Sequence, residues 1–175
     1  LVSHYLLSMW ANLVIGANKA TTLRGSSTPL SSPRDRQRFH HLRSQARAIV
    51  IGGSTFRHEP YRTTPIPLYV ATRAVNPEMI ARNPSARFHV LSPHEIVSHA
   101  VSEMGKPILI EAGARFISEL LDQEVITKLF LTRSALDGDN DFFDIDQHLA
   151  SYICSQREVS ENDTFEIWEL LPERN

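Results

Sequence analysis

The sequence predicts a three-layer α/β domain: a mostly parallel central sheet, helices on both faces, and a C-terminal antiparallel hairpin. Three observations carry that expectation. Short, near-continuous apolar runs recur along the chain at Trp10–Ile15, Ala48–Ile51, Pro67–Ala71, Phe88–Leu91 and Ile108–Ile110. Runs rich in β-branched residues suit strands buried on both faces, as in a sheet covered by helices. Well-punctuated helical segments separate them. The last third instead reads as strands at Ile126–Thr132, Tyr152–Val159 and Thr164–Leu171, the final two joined by the polar turn Ser160-Glu161-Asn162-Asp163.

Each helix has its own start signal. Ser32 is placed to cap a helix whose first turn holds Pro33 and Asp35, where a carboxylate complements the helix dipole. This helix is expected to reach about Ala46, with Phe39 and Leu42 inward and its arginines largely outward. Ser92-Pro93-His94-Glu95 spells a capping box opening a helix through Glu103. A third helix follows Gly113, where Phe116, Ile117, Leu120 and Leu121 form one apolar stripe. A shorter helical piece is expected near Asn76–Arg82.

At 175 residues and 19.8 kDa, the chain is expected to be a single domain over residues 1–175. A chain of this size buries roughly 70% of its unfolded surface. Hydrophobic residues at 42% and charged residues at 22% exclude a disordered or fibrous class. The apolar opening LVSHYLLSMWANLVIGA is broken by Ser3, His4, Ser8 and Asn12, so no membrane-spanning helix is expected. It also lacks the pattern of a signal peptide. The lone Cys154 has no disulfide or zinc partner, which fits a reducing, cytoplasmic setting.

The net charge of −2 argues against general nucleic-acid binding, yet it is unevenly spread. Up to His58 there are eight Lys and Arg against the single Asp35. From Ala135 onward there are eleven acids against Arg157 and Arg174. Such asymmetry marks either a surface that meets an anionic ligand or plain solvated faces.

Two segments share one local logic, a buried strand running into small residues. They are Ala48-Ile49-Val50-Ile51-Gly52-Gly53-Ser54-Thr55 and Ile108-Leu109-Ile110-Glu111-Ala112-Gly113-Ala114-Arg115. Small residues admit a ligand close to the backbone, and a helix start offers free N–H groups, which suits a diphosphate. In open α/β sheets ligands gather at the carboxyl ends of the strands, where both turns fall. Neither turn is G-x-G-x-x-G or a Walker loop, so the ordinary dinucleotide fold and the P-loop are disfavoured. His40-His41 point apart on a helix, and His94 and His99 lack H-E-x-x-H spacing, so no metal is expected. The stretch Asp137–Asp146 has Gln147 and His148 where a calcium loop would end in glutamate, and reads as a solvated loop. Trp10, Phe165 and Trp168 read as core residues.

Together these segments resemble the dihydrofolate-reductase-like superfamily. The nearest branch is that of the pyrimidine reductases, typified by the C-terminal domain of riboflavin-biosynthesis deaminase-reductases. The similarity runs from about Ala11 to about Phe143. A family S-x-D-G followed by L-S-x-P-x-D-R is matched by ANLVIGANKATTLRGSSTPLSSPRDR, its G-A-G-T-x-R by Gly52–Arg57, and its L-V-E-G-G-P-x-L by Leu109–Phe116. The resemblance implies a reductase using NADPH on a pyrimidine or pterin-type substrate. Gly53, Ser54 and Thr55 would line the cofactor phosphates, and Ala112, Gly113, Ala114 and Arg115 would cradle its diphosphate. Thr72 and Arg73 would meet the adenosine 2′-phosphate. Glu111 and Asn18 would be the catalytic pair, with Lys19 and Glu59 on the substrate; related domains commonly pair, so a homodimer is implied.

The chain departs from the family at several positions. Asn18 stands for the usual aspartate of S-x-D-G, and an amide cannot act as general acid or base. Arg57-His58-Glu59-Pro60 stands for R-A-D-D-P, and Ala112 replaces the first glycine after Glu111. These departures leave open a second reading, a dinucleotide-binding member without catalysis.

Overall fold

A computed structural model of the chain describes residues 9–172. Residues 1–8, part of the opening expected to hold neither a spanning helix nor a signal peptide, lie outside the described residues. Among the described residues no helix is long and apolar enough to cross a membrane.

The apolar runs become the strands of one eight-stranded sheet. They are β1 (Met9–Ile15), β3 (Ala48–Gly52), β4 (Leu68–Ala71), β5 (Arg87–His89), β6 (Ile108–Ile110), β7 (Lys128–Ser134), β9 (Tyr152–Val159) and β10 (Asp163–Leu170), in the spatial order β5-β4-β3-β6-β1-β7-β10-β9. The strands from β5 to β7 pair in parallel, and β10 pairs antiparallel with both β7 and β9. This is the mostly parallel sheet with a closing hairpin that the sequence predicts. The centre is fully enclosed: Ile49, Val50, Ile108, Leu109 and Ile110 have no exposed surface.

Helices cover both faces. Alternation along β3 sends Ile49 and Ile51 to one side, where they pack with Phe56, Tyr61 and Met79, while Ala48 and Val50 join the core on the other. The first side carries α1 (Pro33–Gln45), α2 (Gly53–His58) and α3 (Pro77–Arg82); the second carries α4 (Pro93–Met104) and α5 (Ala114–Asp122). The caps form as expected. Ser32 accepts from the Asp35 N–H, and Ser92 and Glu95 complete a capping box. Asn76 caps α3 through the Met79 N–H.

Four expectations need correction. The Gly-Gly pair is not a bare turn: Gly52 ends β3 and is the N-cap of α2, and Gly53 is the first residue of that helix. The acidic stretch Asp137–Asp146 is not all loop. Its residues Asn140–Phe142 form β8, which pairs antiparallel with β2 (Ala20–Thr22) as a separate two-stranded ribbon. The arginines of α1 do not all face water, since Arg43 turns inward. Of the three aromatics read as core, Phe165 is buried, while Trp10 and Trp168 are half-buried.

Candidate functional site

Where β1, β3 and β6 end, the sheet opens into a cavity of about 850 Å³. The ribbon β2–β8, α1, α2 and the start of α5 wall it. Its floor is Glu111, the residue after β6, whose N–H continues the ladder to the Val50 carbonyl at 3.0 Å. The Glu111 side chain is 2% exposed and its carboxylate is engaged from two sides. Arg43 donates from Nε to Oε1 at 2.8 Å and from Nη2 to Oε2 at 2.7 Å, a two-pronged pairing that fixes both groups. The buried Tyr61 hydroxyl adds a third bond to Oε2 at 2.7 Å.

Electrostatics follow from this packing. Burial alone would lower the Arg43 guanidinium, but the hydrogen bonds and charge of Glu111 outweigh it and hold its pKa above the ordinary value. Burial first, and then the neighbouring Glu111 charge, push the Tyr61 phenol well above its usual range. Arg43 also lies over the Phe39 ring at 4.2 Å and the Tyr61 ring at 5.4 Å, so its flat face is packed while its edge is paired. Glu111 is thus a carboxylate anchored in the floor on both of its oxygens.

The other expected residues divide into those on the cavity and those off it. Ser54 and Thr55 of α2 line it, as do Ala112, Gly113 and Arg115 at the start of α5. Gly113 is the N-cap of α5 and has no side chain to satisfy the first amides. A Cβ built there would meet nothing within 4 Å. Ala114 is 1% exposed, so only its backbone can serve a ligand. Glu59 also lines the cavity, but it acts as a clamp. Its oxygens accept from the Ser27 N–H at 2.7 Å, the Ser27 hydroxyl at 2.9 Å and the Ser26 hydroxyl at 2.8 Å, fastening the segment before α1.

Asn18 and Lys19 do not line the cavity. The Asn18 amide donates to the Gly138 carbonyl at 2.9 Å, and its oxygen accepts from the Gly138 and Ala20 N–H groups. It staples the turn before β8 to the turn after β1, beside the cavity rather than on its lining. Lys19 is paired with Asp144 at 2.6 Å. Gly53 is buried behind the cavity wall, where a Cβ would stand 3.0 Å from the Thr72 hydroxyl. Thr72 itself is buried and donates to the Ala74 carbonyl at 2.9 Å, while Arg73 is exposed at the end of β4.

Sequence reasoning missed Arg43, Tyr61 and Asp141. For Arg43 a signal existed: it falls four residues after Phe39 and eight after Asp35, on the stripe of α1 that turns inward. Asp35 is buried, accepting from the Ser31 and Thr132 hydroxyls. Tyr61 and Asp141 sit in irregular or very short elements and carry no periodic signal.

A three-layer fold with a cleft at the carboxyl ends of its parallel strands has its cavity where open α/β sheets hold their ligands. The sequence profile of the RibD C-terminal domain matches residues 18–134, and the chain belongs to that family of reductase domains. Among solved structures it is similar to a pyrimidine reductase-like protein from Corynebacterium diphtheriae. The two are 19% identical with a TM-score of 0.67, over 95% of this chain and 93% of that one. It is also similar to a diaminohydroxyphosphoribosylaminopyrimidine deaminase/5-amino-6-(5-phosphoribosylamino)uracil reductase from Thermotoga maritima. There the identity is 13% and the TM-score 0.69, over 94% of this chain and 57% of that one. No curated protein sequence matches significantly.

Proposed function

We propose that the chain is an NADPH-dependent reductase acting on a pyrimidine or pterin-type substrate, of the 5-amino-6-(5-phosphoribosylamino)uracil reductase kind. The observation that carries this reading is the continuity of one cavity. It joins the uncapped start of α5 at Gly113 to the floor made by Glu111, Arg43 and Tyr61. Its volume of about 850 Å³ lies in the range of cofactor and substrate sites.

The residues present fit a dinucleotide. The amides of Ala114 and Arg115 and the Arg115 guanidinium would hold the diphosphate, with the Ser54 and Thr55 hydroxyls beside it. Gly53 would stand with Ser54 and Thr55 at the phosphates, and Thr72 with the exposed Arg73, just after β4, would meet the adenosine 2′-phosphate. The bound cofactor supplies a hydride. The chain's own contribution is positional: the floor holds the substrate's polar edge, and the surrounding walls exclude water. Tyr61, kept protonated, stays a hydrogen-bond donor to Glu111 throughout. We also place the protein in the cytoplasm as a homodimer, in keeping with its lone cysteine and with the habit of related domains.

A second reading is a dinucleotide-binding member without turnover. It is favoured by one observation, that Asn18, Glu59 and Glu111 spend their side chains on protein partners. Thermal-shift titration with NADPH and NADH side by side tests what the two readings share. A larger rise with NADPH is expected, and no rise with either cofactor sinks both. Oxidation of NADPH on addition of 5-amino-6-(5-phosphoribosylamino)uracil then separates them, since only the enzyme consumes it.

A further inference from the structure

Four carboxylates line the cavity: Asp35, Glu59, Glu111 and Asp141. Three are fully occupied. Asp35 takes a hydroxyl on each oxygen, from Ser31 and Thr132. Glu59 takes Ser26 on one oxygen and Ser27 on the other. Glu111 takes the Arg43 fork on both oxygens and the Tyr61 hydroxyl on one. Asp141 differs. Its Oδ2 accepts from the Thr21 hydroxyl at 3.0 Å, and that same hydroxyl is also 2.9 Å from the Asp141 carbonyl, so one proton is shared between two acceptors. Its Oδ1 has no hydrogen bond among the described residues. Oδ1 faces Arg115 Nε in a loose ion pair at 3.9 Å, and both side chains are open to solvent, Asp141 by 44% and Arg115 by 74%.

The backbone at Asp141 is in the left-handed region, with φ 54°. Aspartate and asparagine are the non-glycine residues that tolerate this conformation best. Asp141 sits in the middle of β8, held against β2 by pairs at Ala20–Phe142 and Thr22–Asn140. A half-free carboxylate is therefore presented by a backbone that is pinned on both sides.

We propose that Asp141 is the substrate-recognising carboxylate of this cavity, accepting a hydrogen bond at Oδ1 from an amino or ring N–H group of an aminopyrimidine. The proposal rests on the reductase reading and adds to it the residue that would choose the substrate's donor edge. A negative charge disfavours the phosphates of the cofactor, whose attractors are the start of α5 and the hydroxyls of α2. It favours a ring that carries N–H donors, because a charged acceptor makes the stronger class of hydrogen bond. Thr21 is the positioning residue, setting the carboxylate through Oδ2.

The test measures binding of two probes, 5,6-diaminouracil and NADPH, to the wild-type chain and to Asp141→Asn. Asparagine keeps the shape, tolerates the same backbone and can still accept from Thr21, so the fold is preserved. Ligand-observed NMR is expected to show the diaminouracil affinity of the variant reduced roughly ten- to a hundredfold, the scale of a lost bond to a charged group. NADPH affinity should hold or rise, since the variant takes a competing carboxylate away from Arg115, and melting temperature should hold. Thr21→Val should give a smaller loss of the same probe, which a merely structural Asp141 would not produce without loss of stability.

Equal diaminouracil binding by wild type and Asp141→Asn overturns the proposal. So does a loss confined to NADPH, or a loss of both probes together with a lowered melting temperature. If the wild-type chain binds NADPH but not diaminouracil, the Asp141 proposal falls while the reductase reading stands. Binding of diaminouracil without NADPH, lost in Asp141→Asn, leaves Asp141 standing and removes the cofactor reading. Binding of neither probe removes both.

Discussion

The turns that follow β3 and β6 look alike in sequence and are built in opposite ways. After β3, the glycine is used up by the protein, and of the small residues only Ser54 and Thr55 beyond it reach the cavity. Gly53 is packed against Thr72, and a Cβ there would crowd the Thr72 hydroxyl at 3.0 Å and Arg57 Nη1 at 3.1 Å. After β6, the space at Gly113 is open, and the residue before the turn, Glu111, is locked from below by Arg43 and Tyr61. The difference teaches that a glycine after a strand has two uses, to let another part of the fold come close or to leave room for something else. Only the second leaves room for a ligand at the glycine itself.

The largest expected effect comes from undoing the lock under the second turn. Arg43→Met leaves the buried Glu111 carboxylate without its cation and is expected to destabilise the fold by about 3–5 kcal/mol, read by urea denaturation. A loss under about 1 kcal/mol would mean that Tyr61 alone suffices to hold Glu111. The next effect separates stability from binding at the open turn. Gly113→Asp places a favourable N-cap at the start of α5, so the melting temperature should hold or rise. The same carboxylate would occupy and repel the diphosphate, and NADPH affinity should fall about tenfold or more, worth about 1.4 kcal/mol.

A smaller contrast comes from adding one methyl group to each turn. Gly53→Ala is expected to cost about 1–3 kcal/mol through overpacking against Thr72. Gly113→Ala, with φ −65° and open space, should lose only the N-cap preference of glycine over alanine, about 0.5–1 kcal/mol. Equal losses at the two sites would erase the distinction between a packed and an open turn.

The smallest effect is a pH response confined to the first turn. Thr72, which backs Gly53, is tied through its N–H to the His89 carbonyl at 3.0 Å. The His89 ring lies 4.6 Å from His99 between centroids and is stacked on Tyr69, with Arg87 and Glu103 completing the cluster. Partial burial, then the charge of His99, lowers its pKa below the ordinary 6.5. Above about pH 6.5 the ring is neutral in both folded and unfolded chains. As pH falls below that, the unfolded chain takes up the proton first, so stability declines until the folded ring also titrates. Denaturation midpoints between pH 7.5 and about 5 should therefore fall for the wild type and fall less for His89→Gln. Arg43 and Tyr61, both raised, keep their protons across that window, so the second turn does not share this source of pH dependence.

The sequence made the sheet legible because its strands are buried on both faces and announce themselves as apolar runs. The helix starts were legible because Ser32 and Ser92 cap through local chemistry that spans only a few residues. The ribbon β2–β8 was not, since its strands are three residues long and pair across the chain, Thr22 with Asn140. No periodicity develops over three residues, and no local rule links partners so far apart. The site was legible to the same degree. Glu111 and Gly113 stand next to a strand and a helix start, where their surroundings are set locally. Arg43 read as one more solvated arginine, although its spacing from Asp35 and Phe39 puts it on the inward stripe of α1; that the stripe meets Glu111 is set only by the tertiary approach of α1 to β6. Asn18 drew its expected role from its place in the S-x-D-G pattern, and no local rule announces that Gly138, far along the chain, bonds its amide.

The bonds beneath the cavity also bear on the order of folding. Arg43 reaches Glu111 across 68 residues of sequence, and Tyr61 reaches it across 50. Closing such loops costs entropy before any contact rewards it, so long-range pairings of this kind form late. Three distant stretches of chain must therefore arrive together before the floor exists at all. In a refolding time course the ability to hold a nucleotide should appear after most of the helical signal has returned, which makes ligand binding a reporter of the final step of assembly.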